Sequence, residues 1–134
     1  MKFGILKEYD DQRVAIVPEI VPKLKQLGLE ILVETQAGAT ALFSDALYQE
    51  HASIVSRQEA LSQSDILISI HPLSDADLQQ VRKGVLLISQ FAPFANPGVA
   101  ETLHGKGFQA FSLDMIPRTT LAQSMDVLSS MAGI

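Results

Sequence analysis

The chain has 134 residues, 47% apolar and 19% charged, which suits one domain with a real core and argues against disorder. Its formal net charge is −5 with Lys and Arg scattered, so a nucleic-acid backbone is not expected as its main partner. The absence of cysteine excludes disulfides, a thiolate nucleophile and Cys-ligated zinc, and is compatible with a reducing cytoplasm. The opening MKFGILKEYDD has only a very short apolar run, unlike a secretory signal. No run of about 18 apolar residues is present, so no membrane-spanning helix is expected.

Taken in chain order, short apolar runs alternate with helical patterns. KFGIL (2–6) reads as a strand. EIVPKLKQLG (19–28) reads as a helix stopped by Gly28. Pro18 and Pro22 fall near its start, where a missing N–H is tolerated, so the regular helix is expected to begin close to Pro22. EILVE (30–34) is a second strand, followed by a turn in TQAGAT (35–40). SDALYQEH (44–51) reads as a helix with Ser44 as its N-cap. SIV (53–55), DILISI (65–70), VLLIS (85–89) and QAFSL (109–113) read as further strands. RQEALSQ (57–63), DADLQQVR (75–82) and NPGVAETLHGKG (96–107) read as helices between them. TLAQSMDVLSSMAGI (120–134) is the longest helical pattern.

Near-continuous apolar runs suit strands buried on both faces of a parallel sheet. Alternating strands and helices at this spacing predict an α/β fold, a three-layer sandwich. The sheet is expected to be mainly parallel and flavodoxin- or Rossmann-like, with a long C-terminal helix. No internal boundary divides the chain, so residues 1–134 are read as a single domain.

Several common sites are not written in this sequence. No G-x-G-x-x-G loop, Walker loop or G-x-S-x-G elbow follows a strand. His51, His71 and His104 have no metal-ligand spacing, so no metal site is expected. His71 follows DILISI directly, so it belongs at that strand's carboxyl edge, where open α/β sheets gather ligands. The alternative is a partly exposed loop histidine. Arg13, in the loop after the first strand, could clamp a carboxylate or phosphate, or could pair locally with Asp10 or Asp11.

The final segment carries the densest polar cluster. With about 100° per residue, Leu121, Met125, Leu128 and Ala132 form one stripe. Gln123, Asp126 and Ser130 fall on the other side, with Ser129 on the flank. One reading is structural: Thr120 and Gln123 form a capping box and Asp126 belongs to a solvated face. The other is that Arg118, Gln123, Asp126 and Ser129 meet a planar ligand such as a carboxamide. Arg118 would donate, and Asp126 or Ser129 would accept.

The segment MIPRTTLAQSMDVLSSMAGI resembles the loop and helix of the NAD(P) transhydrogenase alpha subunit, in its NAD(H)-binding extrinsic component. The order P-R-x4-Q-S-x-D-x-L-S-S-M carries the family's Arg-Gln-Asp loop as Arg118, Gln123 and Asp126, with Ser129 at the family's spacing. The opening GILKEYDDQRVAIVPEIVPKLKQLGLEILVETQAGATALFSD is similar to the start shared with alanine dehydrogenases. The resemblance covers nearly the whole chain. Alanine dehydrogenases carry a catalytic Lys after the fourth strand and a catalytic His after the fifth. Here SIHPL puts His71 or Ser69 near the first position, and SQFAPFANP puts Ala92 or Pro93 at the second, so neither is kept.

The resemblance implies that Arg118, Asp126 and Ser129 hold the nicotinamide carboxamide of NAD(H). Gln123 would bridge toward NADP(H) on a partner component. Hydride would pass between the nicotinamides, coupled to proton translocation by a separate membrane component. The family's following Rossmann domain is not in these 134 residues. The chain alone is therefore expected to be inactive and to bind neither nucleotide tightly. Its partners would be that NAD-binding Rossmann domain, the NADP-binding component and the membrane component, with a homo-oligomer also open. It would be cytoplasmic, held near the inner membrane by partner subunits. The alternatives are a non-catalytic α/β binding or assembly module derived from the family, and an alanine-dehydrogenase-like fragment.

Overall fold

The structure, a computed structural model, describes residues 1–9, 11–91 and 98–113. Six strands form one sheet: β1 (Lys2–Ile5), β2 (Glu30–Glu34), β3 (Ser53–Val55), β4 (Ile66–Ile68), β5 (Leu86–Ser89) and β6 (Gln109–Ser112). Their order is β3-β2-β1-β4-β5-β6 and every neighbouring pair is parallel. The sheet is thus wholly parallel. The reading of SIV as a strand holds, at the sheet's edge.

Helices cover both faces, as a parallel sheet requires. The alternation of side chains along each strand divides the core in two. Phe3, Ile5, Ile31, Val33, Ile66 and Ile68 point to one side. There they meet Val21 and Leu24 of α1 (Val21–Gln26) and Tyr48 of α2 (Asp45–Gln49). On the other side Leu67 and Leu87 join Ala60 and Leu61 of α3 (Arg57–Gln63), Leu78 of α4 (Asp75–Leu78) and Leu103 of α5 (Val99–Gly105). Gly4 lets α3 approach β1. A Cβ there would overlap Ser64 Oγ and come within 2.8 Å of Leu67 Cδ2.

The helix boundaries refine the expectations. Pro18 opens a short 3-10 turn, Pro18–Ile20, and Pro22 occupies the first turn of α1, where its missing N–H costs nothing. Gly28 closes α1 at φ +87°, a region that disfavours side chains, and its N–H bonds Lys25 O at 3.0 Å. Ser44 precedes α2 in extended geometry, but its side chain makes no capping bond. Asp45 instead turns back to accept from Gln36 N at 2.8 Å and Thr35 Oγ1 at 3.1 Å, bracing the turn after β2. Ser56 and Ser74 do cap α3 and α4, each accepting from the N–H three residues on at 3.2 Å. The helix expected over 75–82 ends at Leu78. Beyond it, Gln80 N and Val81 N bond carbonyls three residues back, tightening the chain out of α geometry. The helix expected over 120–134 lies outside the described residues.

Candidate functional site

Strand order reverses at β1, whose two neighbours β2 and β4 are reached by crossovers on opposite faces. In open α/β sheets the usual ligand position is the crevice outside the carboxyl ends of the strands at such a reversal, here β1 and β4. The residues after β1 and β4 line it.

Glu8, in the loop after β1, is only 6% exposed. Its carboxylate accepts from Ile70 N at 2.8 Å and His71 N at 3.1 Å. These two charge-assisted bonds tie the loop after β1 to the loop after β4. Nothing in the local sequence distinguishes Glu8 from a surface glutamate, because its partners lie over sixty residues away.

Asp11 organises the outer part. It accepts from Arg13 Nη2 at 2.6 Å and Nε at 3.0 Å, and from the Arg13 backbone N–H at 2.9 Å. His71 Nε2 lies 3.0 Å from the same carboxylate. The Arg13 side chain, then its backbone N–H, and more weakly His71, hold the Asp11 carboxyl well below the usual carboxylate range. Of the two readings of Arg13, the pairing with Asp11 is therefore the one found, while Asp10 lies outside the described residues. His71 is at the carboxyl edge of β4 as expected, and it is also a half-exposed loop histidine. The fold brings Arg13 and His71 together through Asp11, a convergence the sequence reading did not make.

A second network flanks the first. Arg57, at the start of α3, donates to both carboxylate oxygens of Asp77, at 3.2 and 2.7 Å. It also donates to Glu34 Oε1 at 2.7 Å and Lys7 O at 3.3 Å, and the Tyr9 ring centroid lies 4.8 Å from its Cζ. Burial opposes the charge on Arg57, but bonds to Asp77 and Glu34 outweigh it and raise its pKa. Arg57 thereby fastens the ends of β1, β2 and α4 to one point. The sequence reading missed Arg57, Glu34 and Asp77. The one available signal was Glu34, an acid closing an apolar strand.

Toward β5, Ser69 Oγ contacts His71 O at 2.7 Å and Ser89 Oγ at 3.0 Å. The two serines are the polar positions ending the runs DILIS and VLLIS, and the sequence reading named Ser69 only through resemblance. Among the described residues no group of three or more His, Asp or Glu could hold a metal ion, and no helix is long and apolar enough to cross a membrane.

This crevice does not suit a dinucleotide pyrophosphate. Such a group needs a glycine-rich turn and unpaired N–H donors at the switch point. Here the turn carries the Glu8 carboxylate, which already takes the Ile70 and His71 N–H groups. Arg118, Asp126 and Ser129, the predicted nicotinamide-binding residues, and Gln123, expected to bridge toward NADP(H), lie outside the described residues, as do Ala92 and Pro93.

A family model described as "Alanine dehydrogenase/PNT, N-terminal domain" matches residues 4–134. The chain is similar to the NAD(P) transhydrogenase subunit alpha of Haemophilus influenzae, with 32% identity over 100% of this chain and 27% of the relative. Among solved structures it resembles a transhydrogenase from Sinorhizobium meliloti, at 32% identity and a TM-score of 0.79, covering 97% of this chain and 40% of that one. It also resembles an L-alanine dehydrogenase, at 28% identity and a TM-score of 0.72, covering 84% of this chain and 32% of that one. The chain thus spans well under half the length of these relatives. With the wholly parallel sheet and a family match reaching from Gly4 to Ile134, this chain belongs to the alanine dehydrogenase/PNT N-terminal domain family.

Proposed function

We propose that this chain acts as the first domain of an NAD(P) transhydrogenase alpha subunit and supplies one wall of its hydride-transfer site. The observation that carries the reading is the segment P-R-x4-Q-S-x-D-x-L-S-S-M at 117–131, in a chain that is 32% identical to a solved transhydrogenase over 97% of its length. The topology supports it. Because all six strands are parallel, β6 delivers the chain at the carboxyl edge, the edge that also carries the switch point. Arg118 follows Leu113 by five residues, a reach of at most roughly 18 Å.

In this reading Arg118 donates to the carboxamide oxygen of a nicotinamide. Asp126 and Ser129 accept from its amide N–H groups, and Gln123 faces the NADP(H) nucleotide on a partner component. When bound, NAD(H) supplies the hydride itself. These side chains contribute orientation of the ring and exclusion of water, and none needs to act as acid or base. The pyrophosphate is held elsewhere, on the Rossmann domain of the assembled subunit, which accords with a switch point filled by Glu8. The chain alone is then inactive and binds NADH weakly. Its partners are that Rossmann domain, the NADP-binding component and the membrane component that couples hydride transfer to proton translocation.

The test is hydride transfer in the assembled components, with this chain joined to its NAD-binding domain. Arg118→Ala is expected to lower the rate about 100-fold, the scale of a misoriented reactant, while leaving the melting temperature nearly unchanged. Equal rates for the variant and the parent would overturn the assignment. NADH titration of the 134-residue chain by calorimetry is a separate check, and a sub-micromolar Kd would contradict weak binding.

A further inference from the structure

A second concavity lies on the α3–α4–α5 side of the sheet, between α4, α5 and the ends of β4 and β5. Its volume is about 170 Å³. Leu67, Leu78, Leu87, Phe91 and Leu103 make its inner wall apolar, and all five are buried. Asp75 and Lys106 stand at its rim, paired at 3.4 Å, and so link α4 to the end of α5. A cavity of roughly 150 Å³ with walls of this kind is large enough for a benzene ring.

The inner end is not purely apolar. Ser69 and Ser89 both line it and are 4% and 2% exposed. Their hydrogen bonds have a defined direction. A hydroxyl has one proton to donate. The His71 carbonyl can only accept, so the 2.7 Å contact spends the Ser69 proton. The 3.0 Å contact between the two hydroxyls must then be Ser89 donating to Ser69. Ser89 Oγ is left with lone pairs and no proton, at the polar end of an apolar chamber.

We infer that this cavity is a binding site for a small molecule with a compact apolar body and one O–H or N–H group, which donates to Ser89 Oγ. A ligand that is only an acceptor meets lone pairs there and gains nothing. An occupant is also linked to the crevice already described. The chain of donors runs from it through Ser89 and Ser69 to the carbonyl of His71, whose N–H is held by Glu8.

Phenol, anisole and benzene are suitable probes, since they share a ring and differ in hydrogen-bonding character. Each is titrated against the full 134-residue chain by calorimetry and by backbone amide NMR. Phenol is expected to bind about tenfold more tightly than anisole or benzene, the upper range for one net hydrogen bond. It should shift the amides of Leu87, Phe91 and His71. In Ser69→Ala the Ser89 proton is released, so anisole should gain and the preference for phenol should close. Equal binding of phenol and anisole by the parent chain overturns the proposal, as does phenol without saturable shifts at these amides. A preference for phenol over anisole that survives in folded Ser69→Ala also overturns it. The comparison within the parent chain stands even if that variant does not fold.

Discussion

The two edges of the sheet use charge differently. At the amino edge, Asp65 accepts from Lys2 N at 2.8 Å and from Arg82 Nη2 at 2.7 Å, and Arg82 also reaches Ser64 O at 3.2 Å, the last turn of α3. That pair is exposed, with side chains 53% and 40% accessible. It satisfies a helix end and a strand start beside water. At the carboxyl edge, Glu8 and Glu34 are 6% and 4% exposed, and their partners come from loops and helices far apart in sequence. A charge already desolvated when folded is costly to orphan, whereas an exposed one is rehydrated. The amino-edge ion pair can therefore be lost with little penalty. The carboxyl edge is the more fixed frame, which suits the proposed role of positioning a reacting partner.

The largest test of this contrast is Arg57→Ala. It leaves Glu34 charged, buried and without its cation, and should cost about 3 kcal/mol in urea unfolding. A loss under about 1 kcal/mol would mean that water reaches Glu34 and that the edge is not rigid. Glu8→Gln is next. The amide keeps one acceptor but turns its NH2 toward the second N–H, so a loss of about 2 kcal/mol is expected. Hydrogen exchange at Ile70 and His71 should quicken in that variant, with other strands unchanged. Asp65→Asn, at the amino edge, should cost only about 0.5 kcal/mol, because its ion pair is exposed and its backbone contact is only part-buried. A cost matching that of Arg57→Ala would erase the distinction between the edges.

The smallest effect is a pH slope. Hydrogen bonding from Arg57 lowers the pKa of Asp77, outweighing burial, and the Asp65 pKa is lowered by Lys2 N–H and Arg82 against burial. A carboxylate depressed in the folded state adds stability above its unfolded pKa, near about 4. That contribution is lost as pH falls through the folded value. Urea midpoints measured from pH 6 down to pH 3 should therefore decline. The decline should be shallower in Arg57→Ala, where Asp77 has lost its partner. An equal slope in both proteins would detach acid stability from the carboxyl edge.

What was legible in the sequence follows from burial. KFGIL, EILVE, DILISI and VLLIS are strands because both faces are covered, and residues that must be apolar on both sides leave continuous runs. The same alternation of runs and helical patterns sufficed for the α/β class. Pro22 and Gly28 marked the limits of α1 through backbone constraints that act within a turn. Ser44 was a weaker guide. Extended geometry before a helix invites a capping serine, but Asp45 and the turn after β2 settled the local bonding instead.

Among the described residues, the sequence by itself determined the strands and their alternation with helices, since each is written in neighbouring residues. It could not say which charges meet. Arg57 and Asp77 look like ordinary solvated residues, Glu34 is marked only as an acid closing an apolar strand, and the three are 23 and 20 positions apart. Only the strand order, with its reversal at β1, brings them to one edge. Tertiary structure likewise paired Arg13 with Asp11 and gave Ser69 and Ser89 a direction for their protons. The physical reason is the same in each case. Hydrophobic pattern is a local property of the chain, whereas the partner of a buried polar group is chosen by topology.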